Sequence, residues 1–127
     1  MKNFYNSHNQ NQAGEYLNKQ IYHKPIPQGE YSRIQTSLSS AINQAGEPQK
    51  LAMAFTELRC TFNGRFIVPD ISVFAWQRIP IKPNGRIENR FEIAPDWVIE
   101  ILSPDQSSNQ LINKILFCLN NGTQLGW

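Results

Sequence analysis

One short run, Trp97-Val98-Ile99-Glu100-Ile101-Leu102, limits the fold more than anything else in the chain. In a strand, Trp97, Ile99 and Ile101 point one way and Val98, Glu100 and Leu102 the other. Both faces are apolar apart from one carboxylate, so the run predicts a central strand covered on both sides. A carboxylate buried there costs several kcal/mol, as an order of magnitude, unless something pairs with it.

The rest of the chain supplies matching parts. Phe55 to Phe62 and Arg65 to Trp76 are β-branched and aromatic runs separated by Asn63-Gly64, a strong hairpin signal because both turn positions need positive φ. A two-residue loop sets Phe62 opposite Arg65, Cys60 opposite Ile67 and Glu57 opposite Asp70. Like charges placed opposite each other repel; a cation between Glu57 and Asp70 would remove that conflict, and Arg59 could also do so as a neighbour. Pro69 inside the second run marks an edge or a bulge, which would shift the pairing by one.

A helix is predicted over 30–45, with Ile34, Leu38, Ala41, Ile42 and Ala45 on its apolar face. Gly46 and Pro48 end it. A second helix, over 107–120, carries a buried arc of Leu111, Ile112, Ile115, Cys118 and Leu119. Lys114 sits at the border of that arc, where a lysine either reaches out to water or leans over the sheet. Residues 77–91, with Pro80, Pro83, Asn84 and Gly85, read as a loop.

Residues 1–20 are amide-rich and nearly free of aliphatics, and read as a disordered polar tail. Residues 21–127 read as one domain, within the size that 127 residues allow. The chain restarts at Thr123-Gln124-Leu125-Gly126-Trp127 and stops, so the domain is expected to be incomplete at its C-terminus. An open sheet edge left there would invite homodimerisation.

Composition narrows the function less. Net charge is +2, and charged residues make up 17% of the chain. That is short of the basic excess that would argue for nucleic acid by itself. Arg33, Arg65, Arg78, Lys82, Arg86 and Arg90 form no helix stripe. Cys60 and Cys118 have neither CxxC spacing nor a histidine cluster, and read as buried thiols in a reducing compartment. With no apolar leader at the N-terminus and no run near ~20 apolar residues, a cytoplasmic protein without a membrane span is expected.

Two or three carboxylates with a lysine suit metal-assisted phosphodiester hydrolysis, since carboxylates hold Mg²⁺ and an ammonium stabilises developing charge. A carboxylate pair for glycoside hydrolysis would leave Lys114 without a role.

The order Val68-Pro69-Asp70, then Pro95-Asp96-Trp97-Val98-Ile99-Glu100-Ile101-Leu102-Ser103-Pro104, then Lys114 and Gly122 to Trp127, resembles the Uma-two family of restriction endonucleases, within the PD-(D/E)xK nuclease superfamily. The resemblance runs from about Tyr22 to Trp127. It implies a restriction-endonuclease-like α/β fold, a mixed sheet flanked by helices. It also implies a metal-dependent endonuclease acting on DNA, with Mg²⁺ or another divalent cation such as Mn²⁺. Asp70 and Glu100 would be the metal ligands, with the Ile101 backbone carbonyl as a further one. The superfamily lysine stands two residues after the acid, where this chain has Leu102. Lys114, on the following helix, is the position that matches in this family. Glu57 and Glu30 are auxiliary acids. The alternative expectation is a truncated, non-catalytic remnant, or a self-associating or DNA-binding domain without cleavage activity.

Overall fold

The computed structural model describes residues 14–17, 20–24, 28–104 and 106–127. The elements, in order, are β1 (Gly14–Leu17), β2 (Gln20–His23), α1 (Gly29–Gly46), β3 (Ala52–Thr56), β4 (Cys60–Phe62), β5 (Arg65–Ile67), β6 (Ile71–Ala75), β7 (Trp97–Ile99), α2 (Ser108–Leu119) and β8 (Leu125–Gly126). One four-stranded sheet has the order β3-β6-β7-β8, and a second has the order β2-β1-β5-β4. The first is mixed, since β7 runs antiparallel to β6 and parallel to β8. The fold is α/β, as the sequence implies, with a second antiparallel sheet that the sequence does not announce.

The Asn63-Gly64 turn forms with both φ angles positive, 51° and 70°. The hairpin keeps the expected register, Phe62↔Arg65 and Cys60↔Ile67. Pro69 does not shift it: Thr56↔Ile71 and Ala52↔Ala75 continue the same register. The ladder instead breaks over residues 57–59 and 68–70, and the hairpin passes there from one sheet into the other. Glu57 takes up this change with a φ of 53°, a conformation that few non-glycine residues adopt.

Side-chain alternation assigns the faces of the mixed sheet. Ala54, Ile71, Val73 and Ile99 pack with Leu38 and Ile42 of α1. Phe74 and Val98 point the other way, into a core shared with Cys60, Ile67, Phe91, Phe117 and Cys118. Helix α1 thus covers one face, while α2 and the second sheet cover the other. Phe74 meets Phe55 and Phe91 edge-on at centroid distances of 5.9 and 4.9 Å, a favoured aromatic geometry. Both thiols are free and buried.

Helix α1 turns a different face inward from the one its aliphatics suggest. Ile34 is 49% exposed, whereas Gln35 is buried. Two amides explain the rotation. Asn43 accepts from the Ala54 N–H at 2.7 Å and donates to its carbonyl at 3.3 Å. That satisfies the outward backbone groups of β3, an edge strand. Gln35 donates to the Asp70 carbonyl at 2.8 Å. In α2 the buried residues are Leu111, Lys114, Phe117 and Cys118, while Ile112 and Leu119 are exposed. The arc is rotated so that Lys114 lies inside it and does not reach water at its border.

Strand β7 has neighbours on both sides, as its apolar faces require. The Trp127 N–H donates to the Val98 carbonyl, and the Glu100 N–H to the Trp127 carbonyl. Residues 14–17 are not a tail but a strand, paired with β2 and touching β5 through Tyr16↔Phe66. Their order comes from the local pairing with β2 and from one pair with the distant β5, neither of which composition registers. Residues 1–13 lie outside the described residues. None of the described helices is long and apolar enough to cross a membrane.

Candidate active site

The site lies at one end of the mixed sheet, where the strands stop and the acids begin. Continuing the Thr56↔Ile71 register by one residue sets Glu57 opposite Asp70. Continuing Ile71↔Ile99 by one residue sets Asp70 opposite Glu100. Three carboxylates thus form a row across β3, β6 and β7. Asp70 is 2% exposed, and the Glu100 side chain 1%. Glu57 faces partly outward.

Two lysines neutralise the row. Lys24 Nζ lies 2.5 Å from Glu57 Oε2 and 2.7 Å from Asp70 Oδ1. It is the cation that the opposed acids call for. Arg59 instead stacks on the Phe66 ring, 4.2 Å from its centroid. Lys114 Nζ lies 2.6 Å from Glu100 Oε1 and donates to both oxygens of Glu15, at 2.9 and 2.7 Å. Glu15 in turn accepts from the Val68 N–H at 2.8 Å. Four carboxylates and two ammonium groups leave a formal charge of −2.

Each group responds to this setting. Burial would raise the Asp70 carboxyl, but the Lys24 charge and hydrogen bonds from Glu100, Lys24 and Tyr31 outweigh it and hold the carboxyl below its usual range. Asp70 Oδ1 also accepts from the Tyr31 hydroxyl, and Oδ2 from the Ile101 N–H at 2.6 Å. Glu100 goes the other way. Burial, and then the Asp70 and Glu15 charges, raise it to about 8 against the pull of Lys114 and Lys24. As a carboxylate, neither of its oxygens accepts a hydrogen bond, because Lys114 approaches Oε1 too obliquely. Burial and the neighbouring acids thus favour the protonated form of Glu100, against the pull of the two lysines. Burial would depress Lys114, yet Glu100 and Glu15 hold its ammonium well above the ordinary value.

The structure brings Asp70, Glu100, Lys114 and Glu57 together. Glu30 is exposed in the first turn of α1 and takes no part in the ion pairs described. Glu15, Lys24 and Tyr31 belong to the cluster although the sequence does not single them out. Alternation in Glu15-Tyr16-Leu17 and Gln20-Ile21-Tyr22 is the signal that would have marked their strands.

Among the described residues, no three His, Cys, Asp or Glu converge as a ready-made metal cage, because ammonium groups stand between the acids. Mg²⁺ needs no such cage, since it is held through one or two carboxylates and keeps several waters. The excess of negative charge and the bare Glu100 oxygens fit a divalent cation held by Asp70 and Glu100.

No curated protein matches the chain. A crystal structure titled as that of a putative nuclease belonging to DUF820, from Anabaena variabilis ATCC 29413, is 56% identical to it with a TM-score of 0.88. The match covers 91% of this chain and 64% of that one, so the chain spans less than two thirds of the neighbour's length. The family Uma2, described as "Putative restriction endonuclease", matches residues 1–127. A match over the whole chain makes the assignment plain: this chain belongs to the Uma2 family.

Proposed function

We propose that the chain carries the active site of a divalent-metal-dependent endonuclease that hydrolyses DNA phosphodiester bonds. The observation that carries this reading is the cross-strand pair Asp70 and Glu100, both buried, with the Lys114 ammonium 2.6 Å from Glu100. Asp70, Glu100 and the Ile101 carbonyl would hold the cation, and Mg²⁺ suits this all-oxygen set. When bound, it supplies charge neutralisation at the scissile phosphate and makes a water nucleophilic near neutral pH.

The chain's own groups do the rest. Asp70 is kept ionised by Lys24, Tyr31 and the Ile101 N–H, so it is ready to bind a cation at neutral pH. Glu100 gives up its proton to become a ligand. Lys114 stays protonated, so it acts as a donor that orients water or steadies charge on phosphate oxygen, and not as a general base. Glu57, on the open side of the row, is an auxiliary acid.

A second reading is a folded domain without cleavage activity, whether a remnant, a self-associating unit or a DNA-binding one. It is favoured by the pairing of acids with lysines, since structural ion networks also perturb titration. Supercoiled plasmid incubated with Mg²⁺, Mn²⁺ or EDTA separates the two. The nuclease reading expects nicking with either metal, none in EDTA, and none from Asp70→Ala or Glu100→Ala. Cleavage by either variant at the parental rate would sink the assignment.

A further inference from the structure

In the metal-free protein Lys24 keeps Asp70 ionised, and it does so from a buried position, at 6% exposed. Its ammonium contacts Asp70 Oδ1 and Glu57 Oε2, two acids in one cross-strand row. It comes from outside the mixed sheet, one residue beyond β2, on the arm formed by β1 and β2. That arm meets the second sheet through the Tyr16↔Phe66 pair. The arm is also held by Tyr22 packed against the core, by Tyr16 stacked on Phe66, and by the contacts of Glu15 with Val68 and Lys114.

An ammonium is a monovalent, hard cation presented to oxygen ligands. Placed between Asp70 and Glu57, it supplies the neutralising charge that a divalent cation would supply to the same row. We propose that Lys24 is a tethered counter-ion that competes with the divalent metal for Asp70, holding the acidic row together until metal displaces it. This rests on the metal-dependent reading of the site. Lys24 is a positioning residue that acts through Asp70 and Glu57. Its competition lowers metal affinity, and its departure hands the charge of the arm to incoming phosphate.

Removing one positive charge a few ångströms from a cation site strengthens binding by about tenfold or more. A purely structural lysine predicts the opposite, because its loss would loosen the row and weaken binding. The test is calorimetric titration of the whole chain and of Lys24→Met with Mn²⁺, with thermal melting to establish that each is folded. Binding at least about tenfold tighter in Lys24→Met is the expected result. Equal or weaker binding by a folded variant overturns the proposal and leaves the metal reading intact. Absence of binding in both proteins overturns the proposal together with that reading. A second measurement needs no variant: reductive methylation of lysines in the parental protein, read by mass spectrometry with and without Mg²⁺. Lys24 is expected to be slow to react without metal and faster with it. A rate unchanged by Mg²⁺ at a concentration that raises the melting temperature also overturns the proposal.

Discussion

Asp70 and Glu100 stand opposite each other across β6 and β7, one residue past the Ile71↔Ile99 pair, and titrate in opposite directions. Asp70 is held below its usual range while Glu100 is raised to about 8. Their environments differ in the cations they meet. Lys24 donates squarely to Asp70, whereas Lys114 divides its hydrogen bonds onto Glu15 and reaches Glu100 obliquely.

This contrast makes the metal-free protein sensitive to pH. Folding raises the Glu100 carboxyl from 4.5 to about 8. Below the lower value both folded and unfolded chains hold the proton. Between the two values only the folded chain does, so stability from this group falls as pH rises through that window. Glu100→Gln removes the titration. Melted in EDTA, the variant should gain on the parent progressively from pH 5 to pH 8. A constant gap over that range would show that Glu100 is not protonated at neutral pH.

Lys114→Met should lower both cleavage and stability. Plasmid cleavage should fall by about 10²–10³-fold, the usual cost of losing one donor to developing charge. The variant also leaves Glu15 and Glu100 buried without their ammonium, a change that typically costs about 3–5 kcal/mol. Urea denaturation should show that loss. Full cleavage activity would remove Lys114 from the mechanism.

Much of the fold is legible in local residues. Asn63-Gly64 fixes the hairpin turn and its register. The run Trp97 to Leu102 reads as one doubly covered strand, but the strand stops at Ile99 and Leu102 is 55% exposed. The two sheets are not legible, because the ladder break at 57–59 and 68–70 has no glycine to mark it. In the site, the pairing of Glu57 with Asp70 follows from register, and Glu100 stands out as a carboxylate in an apolar run. Lys24 and Glu15 do not stand out, because their short strands lie in or beside an amide-rich stretch. The rotation of α1 was hidden for a related reason: Gln35 and Asn43 face inward to satisfy backbone groups, and hydrophobic periodicity counts them as outward.

Gly46 closes α1 where the helix meets Ala52. A Cβ there would lie 2.5 Å from the Ala52 carbonyl oxygen, which is backbone and cannot step aside. Gly46→Ala gains about 1 kcal/mol of helix propensity. It should nevertheless be destabilised by about 1–3 kcal/mol through overpacking. At Gly126 the obstacle is the Cγ2 methyl of Ile115, on a β-branched side chain that has little rotamer freedom in a helix, so Gly126→Ala should be destabilised as well. An unchanged denaturation midpoint for either variant would contradict this.

Cys60 and Cys118 are both pushed up to about 12 by burial from an ordinary 9.0. A disulfide dye at pH 8 should leave both thiols unmodified in the native chain and label both in denaturant. The folded state holds these protons more tightly than the unfolded one. Their contribution to stability is therefore complete below pH 9 and is lost as pH climbs from 9 toward 12. Rapid labelling of the native protein would place a thiol at the surface.

Glu57 stands at a backbone position that suits glycine better than glutamate, with a φ of 53° at the seam between the sheets. Glycine there would relieve strain on the order of 1 kcal/mol. It would also leave the Lys24 ammonium with one carboxylate in place of two. The position is therefore one at which selection for foldability and selection for charge pull toward different residues. A glutamate here marks a point where the chain has settled for less than its most comfortable backbone.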